Sequence, residues 1–227
     1  MLVLRRRCGN QLVAVAVTER SDGDQAHIEL DAPASVTALR QVHGTRVVQV
    51  TRPGEHRGAE ADAAWTSMSG ATLAVRTADC VPIALYGTDP FGRSAVAAIH
   101  AGWRGLVDGV VRATIAELRH HGFCNVRAVI GPYVCALHYE FGEALLEAAG
   151  QAVDAPVAST THWGAPALDL GAAARWLLRR DGVLLDSEIG RCTAADLRYF
   201  SHRARAEQQR TAVLVRIDDI APRSHGR

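Results

Sequence analysis

The stretch that most constrains this chain runs from Thr77 to Gly105. Two apolar runs, 81–86 and 96–101, flank a polar turn over 87–93. Apolar runs of this length bounded by turn residues predict neighbouring strands. Pairing them brings Cys80, at the head of the first run, towards His100, at the tail of the second. A third ligand-type residue, His43, lies upstream in Arg40-Gln41-Val42-His43-Gly44. After Trp103 the pattern changes: Leu106, Val110, Val111, Ile115 and Leu118 recur at helical spacing, and Gly122 stops a helix spanning 103–121.

The rest of the chain mixes both periods. Strands are expected at 12–17, 36–42, 47–50, 71–76, 126–130, 183–189 and 211–217, with 26–30 returning as a hairpin partner for 12–17. Helices are expected at 141–149 and 172–180, and a short helix or turn at 193–200. Residues 51–60 and 151–166 read as loops, and 221–227 as a frayed tail. Strands and helices do not alternate strictly, so the expected fold class is α+β, with mixed sheets and flanking helices, rather than a doubly wound sheet. No repeat or domain boundary stands out, so 1–227 reads as a single domain.

Composition narrows the function. The net charge of +1 gives no basis for a nucleic-acid or membrane-surface partner. All 25 basic residues are Arg, which excludes a Schiff-base lysine and the phosphate-binding lysine of a Walker A loop. No apolar run approaches a membrane span. Arg5-Arg6-Arg7 comes directly after Leu2-Val3-Leu4, the reverse of a secretory signal. Five widely spaced cysteines do not suggest a disulfide framework. The expected setting is the cytoplasm.

Two imidazoles and a thiol are a ligand set for a catalytic zinc, which takes three protein ligands and keeps a position for water. His43, Cys80 and His100 are far apart in sequence, and each has an ordinary use as a core thiol or a hydrogen-bonded histidine. Asp79, beside Cys80, is either a proton carrier or a cap for backbone N–H groups. Ala101-Gly102-Trp103-Arg104-Gly105 reads as an anion cradle at a helix start or as a packing turn. Two other chemistries use the same residues. A copper oxidase needs the two His and the Cys with a weak axial Met, and only Met1 and Met68 exist. A thiol enzyme uses Cys80 as nucleophile with His100 or His43 as base. A closed structural zinc site lacks an evident fourth ligand. Cys135 and Cys192 either pack near the site or are inert core thiols.

Assembled, these residues resemble the YfiH family, also described as laccase-domain or multicopper polyphenol oxidoreductase-type proteins and as peptidoglycan editing factors. The matching pieces are Gln41-Val42-His43-Gly44, Ala61-Asp62-Ala63, Thr77-Ala78-Asp79-Cys80-Val81-Pro82 and Ala98-Ile99-His100-Ala101-Gly102-Trp103-Arg104-Gly105. Ile130-Gly131-Pro132, Tyr139-Glu140, Cys192-Thr193 and Phe200-Ser201-His202-Arg203 follow in the same order. The resemblance implies one domain of YfiH-type topology with zinc on His43, Cys80 and His100. It implies phosphorolysis of purine nucleosides such as inosine, adenosine and methylthioadenosine, with adenosine deamination as a second activity. Copper-dependent phenol oxidation and Cys-based editing of peptidoglycan precursors are the alternatives. Asp79 and Arg104 are then the expected catalytic groups, and Gln41, Asp62, Tyr139, Ser201 and Arg203 the substrate contacts. The expected partners are a nucleoside and phosphate, acting on a monomer or weak homo-oligomer. Residues 1–35 form a shorter N-terminal segment than the family usually carries, without its Ser-Leu-Asn-Leu-Gly stretch. Gln209-Arg210 stands where Gly-Arg is usual.

Overall fold

A computed structural model describes residues 1–28, 33–155 and 157–220. The expected strand at 26–30 lies partly, and the tail at 221–227 wholly, outside the described residues. In chain order the strands are β1 (Leu2–Cys8), β2 (Gln11–Val17), β3 (Val36–Ala38), β4 (Val47–Gln49), β5 (Ala63–Thr66), β6 (Thr72–Thr77) and β7 (Val81–Thr88). There follow β8 (Ser94–Ala101), β9 (Cys124–Ile130), β10 (Ala158–Thr160), β11 (Pro166–Leu168), β12 (Leu184–Glu188) and β13 (Thr211–Asp219). The helices are α1 (Trp103–Asp108), α2 (Val110–His120), α3 (Glu143–Val153), α4 (Leu170–Arg180) and the short α5 (His202–Arg205).

Two mixed sheets carry the fold, one ordered β1-β2-β13-β6-β3 and the other β12-β9-β7-β8-β5-β4. They stack as layers, with helices on the outer face of the six-stranded sheet. Alternation along β7 and β8 shows the layering. Val81, Ile83, Leu85, Ala97 and Ile99 pack with Leu106, Val111, Ile115 and Leu177 of the helices. Ala84, Tyr86, Val96 and Ala98 point the other way, onto Val13, Val15, Val213 and Val215 of the five-stranded sheet. Both faces of β7 and β8 are therefore buried, which is why these strands read as unbroken apolar runs. The fold class is α+β, as expected.

Several boundaries differ from those the sequence predicts, each for a local reason. β2 pairs with β1 on one side and β13 on the other, and not with the described residues 26–28: Cys8 faces Gln11 across a tight turn at Gly9-Asn10. The arginines of β1 sit on an edge strand and hide its alternation from a hydrophobicity pattern. The helix expected over 103–121 is two helices, because Gly109 adopts φ 99, ending α1 and opening α2. Residues 151–166 are not all loop: α3 runs to Val153, and β10 pairs with β11. Residues 193–200 form turns, the second of the two expected forms; a short helix follows, capped at its N-terminus by the Ser201 side chain, which accepts from Ala204 N–H. β5 has no counterpart among the expected strands. All five cysteines are free, and among the described residues no helix is long and apolar enough to cross a membrane.

Leu85 is fully buried at the centre of the six-stranded sheet. Leu85→Ala is expected to destabilise the fold by about 2–5 kcal/mol, the range for a buried leucine whose cavity does not collapse. Denaturant unfolding followed by circular dichroism measures it; a loss under about 1 kcal/mol contradicts the layered core described above.

Candidate metal centre

The centre forms where the chain crosses between the two sheets. The β3–β4 crossing carries His43, and the β6–β7 crossing carries Asp79 and Cys80. β8 brings His100 alongside, paired in register with Pro82 of β7. Both crossings turn sharply: His43 has φ 62 and Asp79 has φ 101. Asp and His reach positive φ more readily than most side chains. The corner at Asp79 frees Cys80 from strand alternation and aims it at the same point as the imidazoles.

The ligand atoms of His43, Cys80 and His100 all lie within 4.8 Å of one another. Cys80 Sγ is 3.8 Å from His43 Nε2. Tetrahedral zinc, with bonds of about 2.3 Å to sulfur and about 2.0–2.1 Å to nitrogen, holds such atoms about 3.5 Å apart. The three side chains fit the ion with small adjustments. His43 is exposed and His100 is buried, so one side of the cluster is open.

Asp62 builds this arrangement from beneath. Its carboxylate lies 2.8 Å from His100 Nδ1, which leaves His100 Nε2 for a metal. The same carboxylate accepts from the backbone N–H groups of Val42 (3.2 Å), His43 (2.9 Å) and Gly44 (2.7 Å). One fully buried side chain thus fixes one ligand's ring and another ligand's loop. Gly102 closes the other side. A Cβ there would stand 2.7 Å from His43 Cδ2 and 3.2 Å from Cys80 Sγ, so only glycine fits.

The electrostatics favour a thiolate. Burial alone pushes the Cys80 thiol up, but the charge of His100 and hydrogen bonds from His100 and His43 outweigh it and bring the thiol down to about 6. His100 moves the opposite way: burial lowers its pKa, while Cys80 and Asp62 raise it further. Burial also raises Asp62, but the His100 contact and the amides of Gly44 and Val42 hold it below the usual carboxylate range. A thiolate is the form in which cysteine binds metal.

The cluster opens on a cavity of about 510 Å³. Of the other residues expected at the site, Gln41, Asp79, Tyr139 and Arg203 line it, whereas Asp62, Arg104 and Ser201 do not. Gln41 spans the backbone of Arg76, donating to its C=O at 2.7 Å and accepting from its N–H at 2.8 Å. Asp79 accepts from Thr193 Oγ1 (2.6 Å), Ser201 Oγ (2.7 Å) and Arg203 N–H (2.6 Å). The Arg203 guanidinium lies 4.7 Å from the Tyr139 ring centre, and burial pushes the Tyr139 phenol up. Arg104 is exposed and stacks on Trp103 at 4.6 Å. Arg76, His202 and Arg210 also stand on the cavity wall; His202 and Arg210 fall in stretches that carry the family resemblance, but sequence reasoning gives none of the three a role. Cys135 and Cys192 flank the site: Val134 N–H donates to Asp79 C=O, and Thr193 donates to the Asp79 carboxylate. Both cysteines are half-buried and cluster with His138, and Cys135-x-x-His138 is the spacing that could have marked them.

Two changes test the construction of this centre. Asp62→Asn is expected to weaken Zn²⁺ binding by about 10–100-fold, the usual loss when a ligand's orienting partner is removed. Competition with a chromophoric chelator measures it. Gly102→Ala is expected to weaken binding as well, with the fold intact by circular dichroism; unchanged Zn²⁺ affinity would mean that His43 and Cys80 do not share an ion.

Comparison with known proteins follows the same lines. The family model for multi-copper polyphenol oxidoreductase laccase matches residues 10–218. A purine nucleoside phosphorylase of Streptomyces coelicolor is 39% identical over 189 residues, covering 82% of this chain and 76% of that protein. A purine nucleoside phosphorylase of Xylella fastidiosa is 39% identical over 198 residues, covering 82% and 74%. The crystal structure of a Bacillus licheniformis hypothetical protein, YfiH, superposes with a TM-score of 0.74 at 20% identity, over 93% of this chain and 98% of that one. A Neisseria meningitidis protein superposes with a TM-score of 0.73 at 26% identity, over 95% and 99%. With the match spanning nearly the whole described sequence, this chain belongs to the multi-copper polyphenol oxidoreductase laccase family.

Proposed function

We propose that this protein is a zinc-dependent purine nucleoside phosphorylase acting on inosine, adenosine and methylthioadenosine, with adenosine deamination as a second activity of the same site. The observation that carries the reading is the His43–Cys80–His100 cluster opening on a cavity of about 510 Å³. That volume suits a small organic substrate, and the relatives named above are purine nucleoside phosphorylases.

In phosphorolysis a phosphate oxygen attacks the ribose carbon bearing the base. The carbon–nitrogen bond breaks, the purine takes up a proton and ribose 1-phosphate leaves. Deamination adds water at the amino-bearing purine carbon and expels ammonia. His43, Cys80 and His100 would hold the zinc ion, which when bound would supply Lewis acidity and make water more acidic near neutral pH. The chain's own groups do the rest. Arg203, on the cavity wall beside Tyr139, offers a guanidinium fork to the phosphate. Asp79 anchors the Arg203 backbone and so sets where that fork stands. Tyr139 and Gln41 present an aromatic face and an amide to the nucleoside. Arg104, outside the cavity lining, adds positive charge from a distance.

A blue-copper centre would use the same two His and one Cys, with a weak axial Met. Met68 lies two residues beyond Thr66, past the end of β5 away from Asp62, and Met1 directly precedes β1. Neither methionine lines the cavity on which the cluster opens, which supports zinc over copper. The paired Cys80 and His100 favour a second reading, a thiol enzyme editing peptidoglycan precursors; metal dependence separates the two.

The test uses metal-analysed protein with each nucleoside, with and without phosphate. The expected result is ribose 1-phosphate (5-methylthioribose 1-phosphate from methylthioadenosine) and free purine only when phosphate is present, lost on chelation and restored by Zn²⁺. Cys80→Ala and His100→Ala should abolish turnover. Arg203→Ala should raise KM for phosphate by about 10–100-fold, as removal of a charged hydrogen bond of about 1.5–3 kcal/mol predicts, and by more than Arg104→Ala does. Turnover that survives chelation, or that persists in Cys80→Ala, sinks the reading.

A further inference from the structure

A second group of soft ligands stands beside the first centre and shares no residue with it. Cys135 precedes a single 3₁₀ turn, Ala136–His138. Three residues apart on such a turn, the Cys135 and His138 side chains emerge on one side. Cys192 arrives from far along the chain, on a segment bridged to Tyr133. That bridge is held by Tyr133 N–H donating to Arg191 C=O at 3.4 Å and Thr193 N–H donating to Tyr133 C=O at 3.0 Å.

The distances match one ion. Cys135 Sγ is 3.4 Å and Cys192 Sγ 3.6 Å from His138 Nδ1, and the three ligand atoms lie within 4.8 Å of one another. Tetrahedral zinc places sulfur and nitrogen ligands about 3.5 Å apart. The Cys135 N–H also points at Cys192 Sγ from 3.2 Å. An amide donating to a sulfur stabilises thiolate charge, as it does around metal–thiolate centres. Two sulfurs and an imidazole are soft ligands, suited to zinc-like ions rather than to Mg²⁺ or Ca²⁺.

We propose that Cys135, His138 and Cys192 form a second metal site, which binds a thiophilic ion of the Zn²⁺ class through two thiolates and the His138 Nδ1. All three residues are half-buried, so water can complete the coordination. The ion clips the segment around 135–138 to the segment around 192. Both segments serve the first centre: Thr193 donates to Asp79, and Tyr139 lines the cavity. The second site therefore fixes two walls of the first without taking part in its chemistry.

The experiment counts metal in full-length protein purified with a thiol reductant. Wild-type protein is titrated with Co²⁺, whose thiolate charge-transfer absorption reports sulfur ligands, and then with Zn²⁺. Two equivalents per chain are expected. Cys135→Ser and His138→Ala should each bind one equivalent, and Cys135→Ser should lose the larger part of the charge-transfer absorption. Cys80→Ser should also fall to one equivalent but lose the smaller part, because that centre holds one thiolate against two. His138 is half-exposed, so His138→Ala is expected to keep the wild-type circular dichroism and to isolate the metal effect from folding. One equivalent in wild type, unchanged by His138→Ala, overturns the proposal. So does a Cys135–Cys192 disulfide, found by intact mass and thiol counting, in protein kept with Zn²⁺. A Cys80→Ser protein that retains one ion through Cys135 and His138 supports the second site even if the first centre proves to bind none.

Discussion

The geometry of the first centre depends on a negative charge placed where no water reaches it. Asp62 is fully buried, and a buried carboxylate is tolerable only when its oxygens are satisfied. Here they are satisfied by the residues that must converge: the His100 ring and three successive backbone N–H groups from Val42 to Gly44. The requirement to solvate Asp62 is thus the force that folds the His43 loop against the end of β8. In return His43 adopts a left-handed backbone, at φ 62. The strain is small against four hydrogen bonds to an ionised group.

The layers explain why the centre lies at a corner. β7 and β8 are buried on both faces, so no polar ligand can project from their middles without being orphaned. Ligands are admitted only at their ends, where β6 passes into β7 and where β8 passes into α1. Cys80 and His100 occupy those two positions, and the hairpin register places Pro82 opposite His100. The apolar composition of the strands therefore decides where the chemistry stands. The same logic leaves Gly102 at the exit of β8, where any side chain would push into His43 and Cys80.

This division governs what the sequence makes legible. The β7–β8 hairpin can be read because double burial writes itself as an unbroken apolar run. β1 cannot, because Arg5, Arg6 and Arg7 occupy an edge strand where burial imposes little pattern. The split of the helix at Gly109 is written in one residue, but a lone glycine inside a helical pattern reads equally as a tolerated defect. Among site residues, the ligand types of His43, Cys80 and His100 are visible, and so is the approach of Cys80 to His100 across the hairpin; the convergence of His43 on them is not, since it rests on two positive-φ corners. Asp62 stands out only as a possible substrate contact. Its surroundings come from backbone amides 18–20 residues away, which no side-chain pattern records.

Asp79 shows how far such hidden contacts reach. Its partners Thr193 and Ser201 lie 114 and 122 positions away in sequence, and both are hydroxyls that carry no periodic signal. With two hydroxyls and the Arg203 N–H donating to it, the carboxylate has donors on both oxygens. At φ 101 Asp79 turns the chain into Cys80 while its side chain gathers the 193 and 201–203 segments around the cavity. Two aspartates then share the labour, Asp62 shaping the imidazole side of the centre and Asp79 the thiol side together with the wall that carries Arg203. Because Thr193 follows Cys192 directly, whatever fixes Cys192 also fixes one of Asp79's donors, and the two ligand clusters are mechanically joined through a single peptide unit.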